Sequence, residues 1–99
     1  MLKSFELSLV ADQDLQDIFD YTFEEFGIDQ AVDYVSSFDQ AFENIIQNPE
    51  IGRKRDEIKE GLRSVLKEQH TVFYRLLDNR IRIVRILHAS RDVPRLFED

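Results

Sequence analysis

Residues 70–92 read HTVFYRLLDNRIRIVRILHASRD and decide the fold, because they contain two strand-like runs separated by a turn. The runs His70–Leu77 and Arg80–His88 are rich in valine, isoleucine and aromatic residues, a composition typical of β-strands. Asp78 and Asn79 lie between them, and a two-residue loop of this kind joins the strands of a tight hairpin. The stretch therefore predicts a β-hairpin with two long strands.

The second of these runs has no purely apolar face. Side chains along a strand alternate between its two faces. The alternating sets are Arg80, Arg82, Val84, Ile86 and His88 on one face, and Ile81, Ile83, Arg85 and Leu87 on the other. This pattern predicts either a bulge near Val84-Arg85 or a central strand that is partly covered on both faces. In either case Arg85 lies among apolar neighbours, so it needs a carboxylate, backbone carbonyls or an open groove.

The first half of the chain predicts a short strand followed by two helices. Phe5–Val10 alternates weakly and indicates a strand. The first helix is expected to have Asp12 as its N-cap and to end at Gly27, a residue suited to a left-handed helix end. The second is expected to be capped by Asp29 and to stop before Pro49. The apolar stripes are Leu15, Ile18, Phe19, Thr22 and Phe26 in the first helix, and Ala31, Val35, Phe38, Phe42, Ile45 and Ile46 in the second.

The order of these elements predicts the fold class. With Leu62–Lys67 as a further strand, the chain reads β-αα-βββ. Two helices joined by a very short link form an antiparallel hairpin. We therefore expect an α+β fold in which the N-terminal strand and the α-helical hairpin pack on one face of an antiparallel β-sheet, within a single domain spanning residues 1–99.

Charge is distributed unevenly along the 99 residues. The net charge of −7 divides into −11 for residues 1–50 and +4 for residues 51–99. Such asymmetry indicates either two surfaces with different partners or two halves that partly neutralise each other across the fold.

Composition also restricts the location and the chemistry. The chain has no cysteine, which excludes disulfides, thiolate catalysis and cysteine-ligated zinc. Its N-terminal apolar stretch is too short and too interrupted for a signal peptide, and no apolar run reaches the length of a membrane span. We expect a cytoplasmic protein without a membrane partner.

Taken together, the element order, the segment NPEIGRKRDEIKEGLRS at 48–64 and the hairpin at 70–92 resemble the RelE/ParE superfamily of type II toxin–antitoxin toxins. The phrases FYR at 73–75 and IRIVRILHASRD at 81–92 are similar to the ParE branch in particular. The resemblance covers essentially the whole chain. It implies a cytoplasmic bacterial toxin that inhibits DNA gyrase, and a ParD-like antitoxin whose C-terminal segment wraps the toxin.

The sister RelE branch, which cleaves mRNA on the ribosome, is the alternative function. RNA cleavage needs a base, an acid and a cation for the phosphorane charge. Arg63, Arg85 and Arg91 are candidate cations. The C-terminal segment offers no tyrosine or histidine as acid or base, because Tyr74 is the last tyrosine and no histidine follows His88. A protein of net charge −7 is also poorly suited to dense phosphate. A third reading is an antitoxin-binding domain that is no longer toxic.

The predicted site residues are those of a binding protein. We expect no catalytic residue, no cofactor, no metal and no sequence-specific contact with nucleic acid. The basic strands and the C-terminal segment supply the candidate contacts, which are Arg63, Arg82, Arg85 and Leu96 for the antitoxin, and His88, Arg91, Asp92 and Phe97 for the target.

Several polar residues have a structural interpretation. Asp14, Asp17 and Asp20 are interpreted as solvent-facing residues opposite the apolar stripe of the first helix. His70 is interpreted as a cross-strand partner, and His88 as a strand-end histidine satisfied by a backbone carbonyl or by Asp92.

Overall fold

A computed structural model describes residues 4–90. In chain order the elements are β1 (Ser4–Leu7), α1 (Leu9–Phe26), α2 (Ile28–Gln47), β2 (Arg53–Lys54), β3 (Leu62–Lys67), β4 (His70–Leu76) and β5 (Arg80–His88). The five strands form one sheet in the order β1-β5-β4-β3-β2, and the two helices pack on one of its faces. The predicted α+β class and the helical hairpin are confirmed.

The sheet is mixed, because β1 pairs with β5 in the parallel direction while the other pairs are antiparallel. The prediction of a purely antiparallel sheet is wrong at this edge. The two helices that follow β1 cross over one face of the sheet before the chain returns to it. Such a crossover connection permits parallel pairing. The two-residue strand β2 was not predicted.

The helix starts differ from the prediction. The N-cap of α1 is Ser8, whose hydroxyl oxygen accepts a hydrogen bond from the amide of Ala11 at 2.9 Å. The first strand consequently ends at Leu7, and Asp12 lies inside the first turn. Gly27, with a φ of 93°, ends α1 as predicted but also caps α2. Asp29 therefore belongs to the first turn of α2.

Of the two alternatives predicted for β5, the bulge near Val84-Arg85 is present, at Val84. Phe73 of β4 lies opposite Arg85, and the next residue, Tyr74, lies opposite Ile83, so Val84 is the additional residue of β5. On the helix-facing side the buried residues are therefore Ile81 and Ile83 before the bulge and Ile86 after it. This shift of one residue explains why neither alternating set of the sequence is apolar throughout.

Apolar residues are buried on both faces of the sheet. The main core joins α1, α2, β1, β4 and β5; among its fully buried side chains are Phe38, Phe42, Tyr74 and Ile81. A smaller core on the other face contains Leu62, Phe73 and Leu87, with Ile58 packed against it. The stripe of α2 is confirmed, whereas Phe26 in the predicted stripe of α1 is 61% exposed.

Candidate functional site

Arg85 is held by a carboxylate of the first helix. Its Nε and Nη2 donate to the two oxygens of Asp14 at 2.9 and 3.1 Å, in the paired geometry that guanidinium and carboxylate groups favour. The side chains are only 20% and 11% exposed. The predicted requirement of Arg85 for a compensating group is met by Asp14, and the interpretation of Asp14 as solvent-facing is wrong. Asp17 and Asp20 are exposed as expected.

The same aspartate completes the edge of the sheet. Beyond Ile83 strand β5 has no β1 partner, and α1 lies along this edge instead. The amide of Ser8 donates to the carbonyl of Ile83 at 3.0 Å, and the hydroxyl of Ser8 donates to the carbonyl of Val84 at 2.8 Å. The amide of Ile86 donates to Asp14 at 2.9 Å. The N-cap residue Ser8 and the helix residue Asp14 thus take the place of a neighbouring strand, as buried backbone groups require.

Arg82 is paired at the opposite end of β5. Arg80 and Arg82 both donate to the carboxylate of Glu6 on β1. These hydrogen bonds, that of Arg80 above all, lower the pKa of Glu6 below its ordinary value. The Arg82 side chain remains 41% exposed, so part of it is accessible to a partner.

Arg63 stabilises the loop that follows α2. Its Nη1 donates to the carbonyls of Gly52 and Glu50 at 2.8 and 3.2 Å. Across the register from Arg63, the hydroxyl of Tyr74 accepts from the amide of Gly52 and donates to the carbonyl of Pro49, both at 2.8 Å. This clamp explains why Tyr74 is fully buried, and burial raises the pKa of its hydroxyl.

An open groove lies between the helical hairpin and the free ends of β4 and β5. Its volume is about 490 Å³. Both helices, the β3–β4 turn and the last residues of β5 contribute to its walls, which consist of Asp14, Asp17, Ile18, Tyr21, Thr22, Phe26, Gln30, Tyr34, Glu68, Gln69, His70, Ile86, Leu87 and His88. We refer to this set of residues as the hairpin groove.

The two histidines face each other in the hairpin groove. His70 and His88 are directly opposite in the β4–β5 register, and their rings lie 5.4 Å apart. The prediction that His70 is a cross-strand partner is confirmed. Its Nδ1 is hydrogen-bonded to the hydroxyl of Tyr34 at 2.7 Å. Burial, together with nearby His88 and Lys67, lowers the pKa of His70 below its ordinary value.

His88 is exposed and contacts Ser90. Its Nδ1 lies 2.8 Å from the Ser90 hydroxyl oxygen and accepts a hydrogen bond from the Ser90 amide at 3.2 Å. The expected carbonyl partner is replaced by this serine. The alternative partner, Asp92, lies outside the described residues.

The predicted contact residues do not form one cluster. Arg63, Arg82 and Arg85 lie at three separate places, at the loop after α2, at the β1 edge and against α1. His88 lines the hairpin groove. The remaining predicted residues, Leu96 for the antitoxin and Arg91, Asp92 and Phe97 for the target, lie outside the described residues.

The sequence analysis missed most of the hairpin groove. Tyr21 is not in the predicted apolar stripes, Tyr34 was predicted only at the edge of the second stripe, and Glu68 belongs to a turn with a positive φ of 54°. One signal was present for Asp14, because it lies three residues after Ala11 and four before Ile18, both of which are buried.

Two further observations concern the described chain. Within residues 4–90, no three histidine, aspartate or glutamate residues are arranged to hold a metal ion. Neither of the two helices described here is long and apolar enough to cross a membrane.

Comparison with solved structures supports the fold class. A chain of the structure titled "Chromosomal ParDE TA system from P. aeruginosa" superposes with a TM-score of 0.77 at 22% sequence identity. The match covers 90% of this chain and 98% of that chain. At this level of identity the similarity shows a shared fold.

Sequence comparison then establishes the family. Residues 5–93 match the family described as ParE toxin of type II toxin-antitoxin system, parDE. Toxin ParE1 of Mycobacterium tuberculosis is 38% identical over 96 residues, which are 96% of this chain and 98% of that protein. Toxin ParE1 of Caulobacter vibrioides is 35% identical over 89 residues, 90% of this chain and 92% of its own length. The chain belongs to the ParE toxin family, which confirms the resemblance seen in the sequence.

Proposed function

We propose that this chain acts in the cytoplasm by binding and inhibiting DNA gyrase, and that a ParD-like antitoxin neutralises it. Membership of the ParE family supports a toxin of a type II toxin–antitoxin module. The structural match to a ParDE system supports an antitoxin as partner.

The observation that carries a binding mechanism is the internal pairing of Arg63, Arg82 and Arg85, the three sheet arginines that the sequence predicted as contacts. Arg82 and Arg85 are bound to carboxylates, and Arg63 is bound to backbone carbonyls. A nuclease of the RelE type needs cations free to stabilise a phosphorane. Arginines with internal partners are better suited to supporting a contact surface than to catalysis.

On this mechanism the toxin changes the enzyme without reacting with it. A ligand shifts an equilibrium only by its differential affinity for the two states. We propose that the toxin binds the gyrase state that holds cleaved DNA more tightly than the resting state, through His88, Arg91, Asp92 and Phe97. The antitoxin is proposed to contact Arg63, Arg82, Arg85 and Leu96.

A supercoiling assay tests the gyrase proposal. Purified toxin is added to bacterial DNA gyrase, ATP and relaxed plasmid, and the products are separated after protease treatment. We expect loss of supercoiling or accumulation of linear plasmid. His88→Ala should weaken the effect, whereas Arg53→Ala, which removes an exposed cation of β2 outside the proposed surfaces, should not. Normal supercoiling at toxin concentrations that arrest growth would refute gyrase as the target.

One observation favours the mRNA endonuclease as a second candidate. The two histidine rings of the hairpin groove are 5.4 Å apart, and Lys67 lies over the ring of Tyr34 at 4.9 Å. Paired histidines and a lysine are groups that acid–base cleavage of RNA uses. A ribosome-dependent cut in an in vitro translation reaction, abolished by His88→Ala, would support the nuclease. Unaffected growth on expression without antitoxin would instead indicate a domain that is no longer toxic.

A further inference from the structure

The two layers of the fold carry opposite charge. The helices contain ten aspartate and glutamate residues, six in α1 and four in α2, and no lysine or arginine. The strands contain eight lysine and arginine residues, two in β2, two in β3, one in β4 and three in β5, and a single acid, Glu6. Within residues 4–90, Asp14–Arg85 is the one ion pair that joins a helix to a strand. The two layers therefore do not neutralise each other, which favours two surfaces with different partners.

Two arginines lie side by side on the face of the sheet that the helices do not cover. Arg75 of β4 is directly opposite Arg82 of β5 in the register, and Leu62 of the smaller core is opposite Arg75 on its other side. Residues opposite each other in a sheet project to the same face, so both guanidinium groups belong to this helix-free face. Like charges in such a pair are destabilising. The stability of the sheet therefore does not account for this pair.

A single carboxylate serves three arginines at this place. Glu6 is the next residue in the same row, and it accepts hydrogen bonds from both Arg80 and Arg82. Arg75 is exposed, and no carboxylate of the described residues forms an ion pair with it. Three positive charges and one negative charge leave two positive charges in excess. We refer to Arg75, Arg80, Arg82 and Glu6 as the arginine cluster.

The guanidinium of Arg75 is accessible to a ligand. It lies beside Gly61, where an added Cβ would be 3.4 Å from Nη2. An open cleft of about 390 Å³ adjoins it, and the other charged residues of the cleft are Lys54, Asp56, Glu60 and Arg63. The missing side chain at Gly61 and the cleft together leave room for a ligand beside Arg75.

The phosphate groups of a nucleic acid suit the arginine cluster. A guanidinium group binds phosphate oxygens through paired hydrogen bonds, a geometry that lysine does not offer. A DNA strand carries one phosphate per about 3.4 Å of its axis, so neighbouring arginines meet neighbouring phosphates. The ten acids of the helices belong to the opposite layer and would face away from DNA bound here. The net charge of −7 therefore does not prevent this contact.

We propose that the arginine cluster binds the sugar–phosphate backbone of the DNA that gyrase holds. The proposal rests on the proposed function and gives a source for the differential affinity on which that mechanism depends. A toxin that contacts the enzyme and its DNA together binds gyrase with DNA more tightly than gyrase alone. Contacts with the backbone position the toxin and do not read the base sequence.

Arg75 is the residue to vary, because Arg82 is also a proposed antitoxin contact. Toxin labelled at its N-terminus is titrated with gyrase alone and with gyrase loaded with a DNA duplex, and fluorescence anisotropy gives both dissociation constants. We expect Arg75→Ala to weaken binding to the gyrase–DNA complex about tenfold, through the loss of one charge-assisted hydrogen bond, and to leave binding to gyrase alone unchanged. Arg53→Ala is the matched control and should change neither constant, because Arg53 is an exposed arginine of the same face outside the cluster and the cleft.

Ionic strength distinguishes a phosphate contact from a structural effect. Each neutralised phosphate contributes about −0.9 to the slope of log K against log salt concentration. For the gyrase–DNA complex, the slope should become shallower by about 1 in Arg75→Ala and stay close to that of the wild type in Arg75→Lys, which keeps the charge. A slope unchanged in Arg75→Ala would overturn the phosphate contact. Circular dichroism and thermal melts verify that each variant is folded.

A titration without gyrase tests the cluster by itself. A short fluorescent DNA duplex is titrated at low salt with the wild type, Arg75→Glu and Arg53→Glu, and a single-stranded RNA of the same sequence is titrated in parallel. The wild type should bind the duplex, and Arg75→Glu should weaken this binding several-fold more than Arg53→Glu, because only the first reversal places a like charge against the bound phosphate.

The results separate this proposal from the proposed function. Equal losses in the Arg75 and Arg53 variants, or no binding of the wild type to the duplex at low salt, would overturn the site while inhibition of gyrase stands. Tighter binding of RNA than of DNA would overturn DNA as the ligand and favour the nuclease. A wild-type toxin that binds gyrase neither with DNA nor without it would refute the proposed function, and the duplex titration would still decide the site.

Discussion

The pairing of Asp14 with Arg85 makes a quantitative prediction about stability. Asp14→Ala removes the acceptor of three hydrogen bonds, two from the Arg85 guanidinium and one from the amide of Ile86. The amide is then left without its acceptor in a buried position, and the guanidinium loses its counter-charge. Removing one partner of a buried ion pair costs about 3–5 kcal/mol. Because the Arg85 side chain is 20% exposed, we expect the lower end, about 3 kcal/mol.

Urea denaturation measures this loss directly. With an m-value of about 1.5 kcal/mol/M, a loss of about 3 kcal/mol lowers the midpoint by about 2 M. Asp14→Asn should cost less, because an amide oxygen can still accept from Ile86. Asp17→Ala serves as the control, since it removes an exposed carboxylate of the same helix and should stay within about 0.5 kcal/mol of wild type. A midpoint for Asp14→Ala within error of that control would refute the structural role of the pair.

Three further predictions concern other contacts. Gly52→Ala places a methyl group against the Tyr74 hydroxyl and should lower stability by about 1–3 kcal/mol in thermal melts. Tyr74→Phe should lower it by a similar amount, about 1–3 kcal/mol, through the loss of two hydrogen bonds. The pKa of His70 is lower in the folded chain than in the unfolded chain, so the unfolded chain takes up the proton first as the pH falls. The stability that neutral His70 contributes is therefore complete above about pH 6.5 and is lost as the pH falls towards the folded pKa. Urea midpoints between pH 8 and 5 should show this decline, and His70→Gln should flatten it. The pKa of Glu6 is also lowered, so the stability that its carboxylate contributes is present above pH 4.5 and is lost below it. Glu6→Gln should therefore reduce the loss of stability that thermal melts show at low pH. An unchanged pH profile would refute the ion pair of Glu6 with Arg80 and Arg82.

Strand periodicity was informative enough to predict an irregularity in β5, either a bulge or a central strand covered on both faces, and the bulge is present. A nine-residue run with arginines in both alternating sets is incompatible with a regular strand that has one buried face. In the structure Val84 is the additional residue of the bulge, so the buried side chains of β5 continue from Ile83 to Ile86 instead of to Arg85. Local pattern was sufficient here because the conflict lies within a single strand.

Contacts between segments that are distant in the sequence could not be predicted from local sequence pattern. Asp14 and Arg85 are separated by 71 positions, and nothing local identifies one as the partner of the other. The parallel pairing of β1 with β5 has the same origin, since its register depends on where the helical hairpin returns the chain. The hairpin groove was missed for the related reason that it is formed by four separate segments, none of which shows a site by itself.

The ion pair also affects how functional variants of Arg85 are interpreted. Arg85→Ala alone would weaken antitoxin binding even if Arg85 never touches the antitoxin, because the change loosens α1 from β5. The combination Asp14→Asn with Arg85→Met removes both charges, keeps the net charge and retains an acceptor for Ile86, and apolar replacement of a buried ion pair is often neutral in stability. Asp14 uses Nε and Nη2 of Arg85, which leaves Nη1 for a partner. We therefore expect this double variant to fold like the wild type and to bind the antitoxin several-fold more weakly. Unchanged affinity in a stable double variant would mean that the role of Arg85 is to fix the first helix to the sheet, and that the antitoxin contacts lie elsewhere.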